Sequence, residues 1–130
     1  MKNTIARIDE LNNQLRDAKN ALQKEFWIEL KNIFDNNPKL ESISMYVNNH
    51  EFNDGDATTF YLGYDDMTIT VDGEEVSREW DSKTKEYVSN PTLDSLIELF
   101  GNTQDIHEDM FSGEYENMTI DRDDVLNRKN

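Results

Sequence analysis

The segment Phe52-Asn53-Asp54-Gly55-Asp56 gathers residue types that could do chemistry: two carboxylates and an amide around a glycine. Three uses fit such a group: a cation loop, a catalytic carboxylate pair, or a turn. A calcium loop of the EF-hand kind needs oxygen ligands at its positions 1, 3 and 5, glycine at 6 and an acid at 12. Setting Gly55 at position 6 puts His50, Phe52, Asp54 and Tyr61 at those places, and among them Asp54 alone suits calcium. Setting Gly73 there makes Asp72 and Glu79 fit, but Thr68 and Thr70 stand where carboxylates or amides belong. A hydrolase built on paired carboxylates needs a cleft that raises one pKa, and the sequence carries no sign of one. The turn needs only that Asn and Asp side chains bond the local backbone and that Gly55 takes a positive φ. The segment is therefore expected to connect two strands, with Phe52 anchoring one end in the core. Neither a metal nor a cofactor is expected.

Other chemistry is sparser still. His50 and His107 are the two histidines, each followed by glutamate, but "HEDMF" lacks the second histidine of a zinc-protease helix. Exposed or capping histidines are the expectation. The absence of cysteine removes disulfides, thiolate nucleophiles and zinc–thiolate sites together, and fits a reducing cytosol. There is no phosphate loop, no G-x-S-x-G elbow and no dinucleotide fingerprint. These absences favour a protein that is not an enzyme. Trp80 and Tyr87, set among charged residues, could form a recognition surface; finishing the core edge of a sheet is the plainer expectation.

The elements that must position these residues follow from pattern. At 130 residues the chain is one domain by size, with a single modest core. No stretch approaches the roughly 20 apolar residues of a membrane helix, and the charged N-terminus lacks a signal-peptide core. A cytoplasmic protein with no membrane partner is expected. Residues 1–37 carry six basic and six acidic residues. Residues 38–130 carry seven basic and 22 acidic ones, so the whole net charge of −15 resides there. Such an excess repels nucleic acid and anionic membrane and favours a basic partner, although it also serves solubility.

The neutral segment, 1–37, predicts one long helix. Ile8, Leu11, Leu15, Ala18 and Leu22 alternate by three and four, an a/d seam of about three heptads. Glu25 interrupts that seam, and the apolar face moves to Phe26, Trp27, Leu30, Ile33 and Phe34 before Pro38 ends the helix. At about 1.5 Å per residue the helix is about 50 Å long. The 93 residues beyond it should make a globule about 30 Å across. The helix thus overshoots its own domain, and its first half is expected to be an oligomerisation arm giving a homo-oligomer.

After Pro38 the period becomes two. Ile43, Met45 and Val47 share a face; so do Thr58, Phe60, Leu62 and Tyr64, and then Met67, Ile69 and Val71. Asp72-Gly73 predicts a hairpin into "EEVSREW", whereas "DSKTKEYVSN" predicts a loop. Asn90-Pro91 is an N-cap followed by proline, opening a helix through Leu93, Leu96, Ile97 and Phe100 that Gly101 should stop. "QDIHEDMF" predicts a short helix ending at Ser112-Gly113, and "YENMTIDRDDVL" a hairpin turning at Asp121 to Asp124. The class is α+β: a long N-terminal amphipathic helix (1–37), then an acidic domain (38–130) with a mainly antiparallel sheet and two short helices.

Taken together, Phe26-Trp27, Glu41-x-Ile43-Ser44, Phe52-Asn53-Asp54-Gly55-Asp56, Phe111, Gly113, Thr119 and Arg122-Asp123 resemble a family of small uncharacterised tailed-bacteriophage proteins. The likeness spans about residues 25–126 and leaves out the heptad arm. The chain departs from the family pattern at Asp124, where glycine is usual, and at Ser112, which separates Phe111 from Gly113. The resemblance implies a phage origin and an α+β fold, and no activity. With the charge segregation it favours a non-enzymatic acidic inhibitor of a host defence or nucleic-acid-handling protein, acting in the host cytoplasm by nucleic-acid mimicry. Its contact residues would be Asp54, Asp56, Asp65, Asp66, Glu74, Glu75, Asp121, Asp123 and Asp124, facing a basic host surface with no direct nucleic-acid binding. The competing expectation is an oligomeric scaffold or regulatory module working through the arm. A third is a small-nucleotide sponge, which would need Arg78, Lys83, Lys85 and Arg122 to converge.

Overall fold

An uninterrupted helix, α1 (Lys2–Asn36), opens the chain. The computed structural model describes residues 2–50, 59–114 and 116–128. No glycine or proline falls within α1, and Pro38 stops it as expected. The helix is followed by an antiparallel sheet and short helices, so the class is α+β.

The main sheet has four strands in the order β3-β2-β1-β6: β1 (Leu40–His50), β2 (Thr59–Val71), β3 (Glu74–Ser77) and β6 (Glu116–Asp121). The two stretches expected as separate strands are one strand, β2, with an irregularity inside it. Tyr46 pairs with Gly63 and Ser44 with Thr68, so Tyr64 to Met67 stand opposite Met45 alone. That bulge absorbs the change of phase between Leu62 and Met67, and it keeps both buried on one side. Asp72 and Gly73 form the two-residue turn into β3 with φ of 54° and 81°, the positive pair that a type I′ hairpin requires.

Helices cover one sheet face. Ile43, Met45 and Val47 of β1 meet Leu62, Met67 and Ile69 of β2 and Met118 and Ile120 of β6. Above them lie Phe26, Leu30, Ile33 and Phe34 of α1, and Leu93, Leu96 and Phe100 of α2 (Pro91–Gly101). Asn90 caps α2 as its sequence predicts: its Oδ1 accepts from the Leu93 amide at 3.1 Å. Gly101 is the last residue of α2 but adopts no left-handed angle, and Asn102 is the cap. A β-carbon at Gly101 would lie 3.6 Å from the Tyr64 ring, an ordinary packing contact. A 3-10 turn (Gln104–Ile106) leads into α3 (His107–Phe111).

Two expectations are corrected by the ordering of the chain. The stretch expected as a loop contains a separate two-stranded ribbon, β4 (Trp80–Asp81) with β5 (Glu86–Tyr87). Asp81 Oδ1 holds its turn by accepting from the Lys83 amide at 2.9 Å, and Lys85 supplies a positive φ. The C-terminal hairpin does not form. β6 pairs instead with β1, Met118 facing Met45, and the chain then turns into α4 (Arg122–Leu126). An edge place beside β1 buries Met118 and Ile120, which a local hairpin could not do.

Candidate functional site

The nine carboxylates proposed as contacts fall in four places. Asp54 and Asp56, with the rest of the Phe52–Asp56 segment expected as a turn, lie outside the described residues. Asp65 and Asp66 are exposed in the β2 bulge, where the strand departs from its partner. Glu74, Glu75 and Asp121 are brought to one end of the sheet by register: Glu75 pairs with Thr70, Thr70's β1 partner is Ser42, and Ser42 pairs with Asp121. Glu75 and Asp121 are thus three strand steps apart, about 14 Å at about 4.8 Å per step. Asp123 and Asp124 follow in the first turn of α4. Two further acids join the same sheet end, as Glu41 accepts from the Gly73 amide at 3.3 Å and Asp72 lies 4.0 Å from Lys39.

Beyond the row Glu75-Thr70-Ser42-Asp121, which carries an acid at each end, the open face of the sheet is not acidic. Its further rows are Ser77-Thr68-Ser44-Thr119, then Gly63-Tyr46-Asn117, then Tyr61-Asn48, whose side chains are all hydroxyl, amide or aromatic. Tyr46 and Tyr61 are about half exposed there. Gly63 leaves space for Tyr46, whose Cβ is 3.3 Å from where a β-carbon would stand. The carboxylates therefore border a neutral plateau rather than cover it.

Arg122 is held at the joint between α1 and β1. Its Nη1 donates to the carbonyls of Phe34, Asn37 and Leu40 at 3.0, 3.2 and 3.1 Å. Those groups are the C-terminal end of α1 and the start of β1, where unpaired carbonyls and the helix dipole both call for positive charge. No basic residue stands in the last turn of α1, so a distant one supplies it. Asn37 completes the joint: its Nδ2 donates to Ile33 O at 2.7 Å and its Oδ1 accepts from the Thr92 hydroxyl at 2.7 Å. A cationic site of Arg78, Lys83, Lys85 and Arg122 does not assemble, because Arg122 is committed to this joint while the other three belong to the β4–β5 ribbon and its approach.

Trp80 and Tyr87 do not finish the core edge. They pair edge to face at 5.1 Å on the ribbon, more than half exposed, with the Arg78 guanidinium 4.2 Å from the Tyr87 ring. A strand pair of two residues each is too short to reach the core, so its aromatics cover one another.

His107 is not exposed, but it is the C-cap of the 3-10 turn, its backbone N–H donating to the Gln104 carbonyl. It is buried against Tyr64, Phe100 and Phe111, with Nε2 3.3 Å from the Thr103 hydroxyl. Burial lowers its pKa from 6.5 to about 4, partly offset by a hydrogen bond with the Phe100 backbone. The side chain of His50 lies outside the described ones. Among the described residues no three His, Asp or Glu side chains gather as a metal ion would require, and no helix is long and apolar enough to cross a membrane.

The other unassigned surface is the arm. Ile8, Leu11 and Leu15 are each about half exposed, Ala18 is exposed, and only Leu22 of the seam touches the core cluster. Beside the point where the arm meets the domain, Trp27, Phe111, the outer side of β6 and α4 frame a groove of about 730 Å³. Sequence pattern marked Trp27 as a core residue; its partner in that groove, Arg128, carried no signal at all. Comparison with known proteins returns no match to a family model, a curated protein or a solved structure.

Proposed function

We propose that this chain is a non-enzymatic acidic binding protein of phage type, which inhibits a host defence or nucleic-acid-handling protein by occupying a basic surface that would otherwise hold phosphates. One observation carries the reading: the charge excess of residues 38–130, 22 acidic against seven basic, with Asp65, Asp66, Glu74, Glu75 and Asp121 all exposed. Internal pairing cannot absorb that excess, and Arg122 spends its charge on backbone carbonyls. Carboxylates fixed on strands need little ordering when they meet a cationic groove, so most of the Coulombic gain is retained. The chain acts in the host cytoplasm as a homo-oligomer through its arm.

The test is competition and charge reversal on the partner recovered from host lysate. Binding should exclude DNA or RNA from that partner and weaken steeply as salt rises, since exposed charges are screened over about 8–10 Å at physiological ionic strength. Reversing Asp65 with Asp66, or Glu74 with Glu75, or Asp121 with Asp123 and Asp124, should single out one side of the domain. The scaffold reading is favoured by a different observation, the half-exposed Ile8, Leu11 and Leu15. Binding that persists in high salt and through every reversal, yet disappears on substituting those residues, would establish the scaffold instead.

A further inference from the structure

The groove beside the arm has a floor, walls and an occupant. Its floor is the Trp27 indole, held edge to face by Phe26 at 5.1 Å and Phe111 at 6.2 Å. Asp109, Glu114, Asp123 and Asp124 line it, and Lys19 lies 3.7 Å from Asp109. One side is formed by Met118 to Ile120 of β6, an edge strand whose outer side meets no strand among the described residues. The guanidinium of Arg128 lies 3.8 Å from the centre of the Trp27 ring, although the residue as a whole is exposed. At about 730 Å³ the space exceeds what one arginine side chain fills.

We propose that this groove is a recognition slot for an arginine on an extended segment of the protein partner, and that Arg128 is an internal stand-in displaced on binding. The proposal rests on the basic-partner reading and locates its anchor. Three features converge on this occupant. An indole face attracts a planar guanidinium by cation–π and stacking contact, and suits it better than a compact ammonium. Asp123 and Asp124 give the slot a charge that Arg128 alone does not balance, while Asp109 already lies 3.7 Å from Lys19. The open side of β6 offers main-chain donors and acceptors to an added strand, whose alternate side chains would then face the groove. Arg128 is an exposed residue that follows α4, and the ring it touches, Trp27, is itself outside the buried cluster, so releasing it removes no buried residue from the core.

The test measures fluorescence anisotropy of a labelled extended peptide, Thr-Val-Arg-Val-Thr with blocked ends, titrated with the full chain at low salt. Binding should fall about tenfold or more when the peptide arginine is replaced by citrulline, which keeps the shape but not the charge. Arg128→Ala should tighten binding several-fold, because an internal competitor is removed. Trp27→Leu and the double variant Asp123→Asn with Asp124→Asn should weaken it, while Trp27→Phe retains part. Thermal melts of each variant separate lost binding from lost folding. Unchanged or weaker binding by Arg128→Ala overturns the stand-in. Peptide binding that resists every groove variant but is lost on reversing Glu74 and Glu75 removes the slot and leaves the basic-partner reading standing. Absence of binding by the peptide alongside capture of a partner through the acidic sheet end has the same meaning. A citrulline peptide that binds as well as the arginine one rejects the slot outright.

Discussion

The two halves of α1 share a helical period and one backbone geometry, yet only the second half, which carries the aromatics, belongs to the core. Ile5, Ile8, Leu11 and Leu15 are 46–65% exposed, whereas Phe26, Leu30 and Phe34 are at most 1% exposed. Helical amphipathicity states that a face wants burial; it does not name what will bury it. The second half finds α2, α3 and the sheet within reach, and its residues there include two phenylalanines long enough to fill the interior. The first half runs past the end of the domain. Leu22 is the hinge of the comparison, half-buried between the two regimes. Glu25, at the next seam position, keeps the arm's stripe from running straight on into the core stripe.

The sharpest way to test this contrast is to truncate one residue in each half. Phe26→Ala should lower unfolding free energy by about 3–5 kcal/mol, the usual cost of emptying a phenylalanine site in a packed core. Ile8→Ala should leave the stability of the isolated subunit unchanged within about 0.5 kcal/mol, the range of surface substitutions. Urea denaturation at low protein concentration compares the two. Equal losses would mean that the arm is part of the folded unit.

The joint that fixes α1 onto the sheet gives the next effect. Arg122→Gln removes the cation from three carbonyls and should cost about 1.5–3 kcal/mol, the scale for a hydrogen bond to a charged group. Arg122→Lys should recover only part, since one ammonium cannot reproduce the spread of the guanidinium. Thermal or urea unfolding reads both. A loss below 0.5 kcal/mol in the glutamine variant, the bound for surface substitutions, would show that Asn37 and Thr92 hold the joint unaided.

What was legible in the sequence is what local chemistry dictates. Asn90-Pro91 and Asp72-Gly73 carry their geometry in their own side chains and φ preferences, and both stand where expected. The change of phase from Leu62 to Met67 was visible too, though as a break between strands and not as a bulge inside one. Arg122 was not legible as a cap: it lies 82 or more residues along the chain from the carbonyls it serves. A comparable separation hid the pairing of β6 with β1, and without it "TIDRDD" has the composition of a turn. His107 was expected to be exposed or capping; it does cap the 3-10 turn, but sequence alone does not reveal that Tyr64 and Phe100 close over it.

His107 also supplies a pH test. Its folded pKa of about 4 lies below the ordinary 6.5, so the unfolded chain binds the proton more readily than the folded one. The stability that this group contributes is complete above pH 6.5 and is lost progressively as pH falls towards 4. His107→Phe removes the titration while keeping a ring in the aromatic cluster. Between pH 7 and 5, above the range where most carboxylates take up protons, the wild-type melting temperature should fall faster than that of the variant. Parallel curves would mean that water reaches the imidazole.

The smallest effect on the fold should accompany the largest effect on assembly. Leu11→Asp with Leu15→Asp places two carboxylates on the arm's stripe, where both leucines are about half exposed in the single subunit. If the stripe is covered by a second arm, each leucine loses burial worth about 1.5–3 kcal/mol, and an aspartate in the same seam adds desolvation cost. Every further subunit in the assembly repeats the penalty, so light scattering should report a monomer where the unaltered chain is a dimer or larger at tens of micromolar. Circular dichroism of the variant should retain the helical signal from Leu22 onward, since that part is held by the domain and not by the partner arm. An unaltered chain that scatters as a monomer at that concentration would remove the seam from the account. A variant that loses its core along with its assembly would instead join the two halves of α1 into one cooperative unit, and the contrast between them would fail.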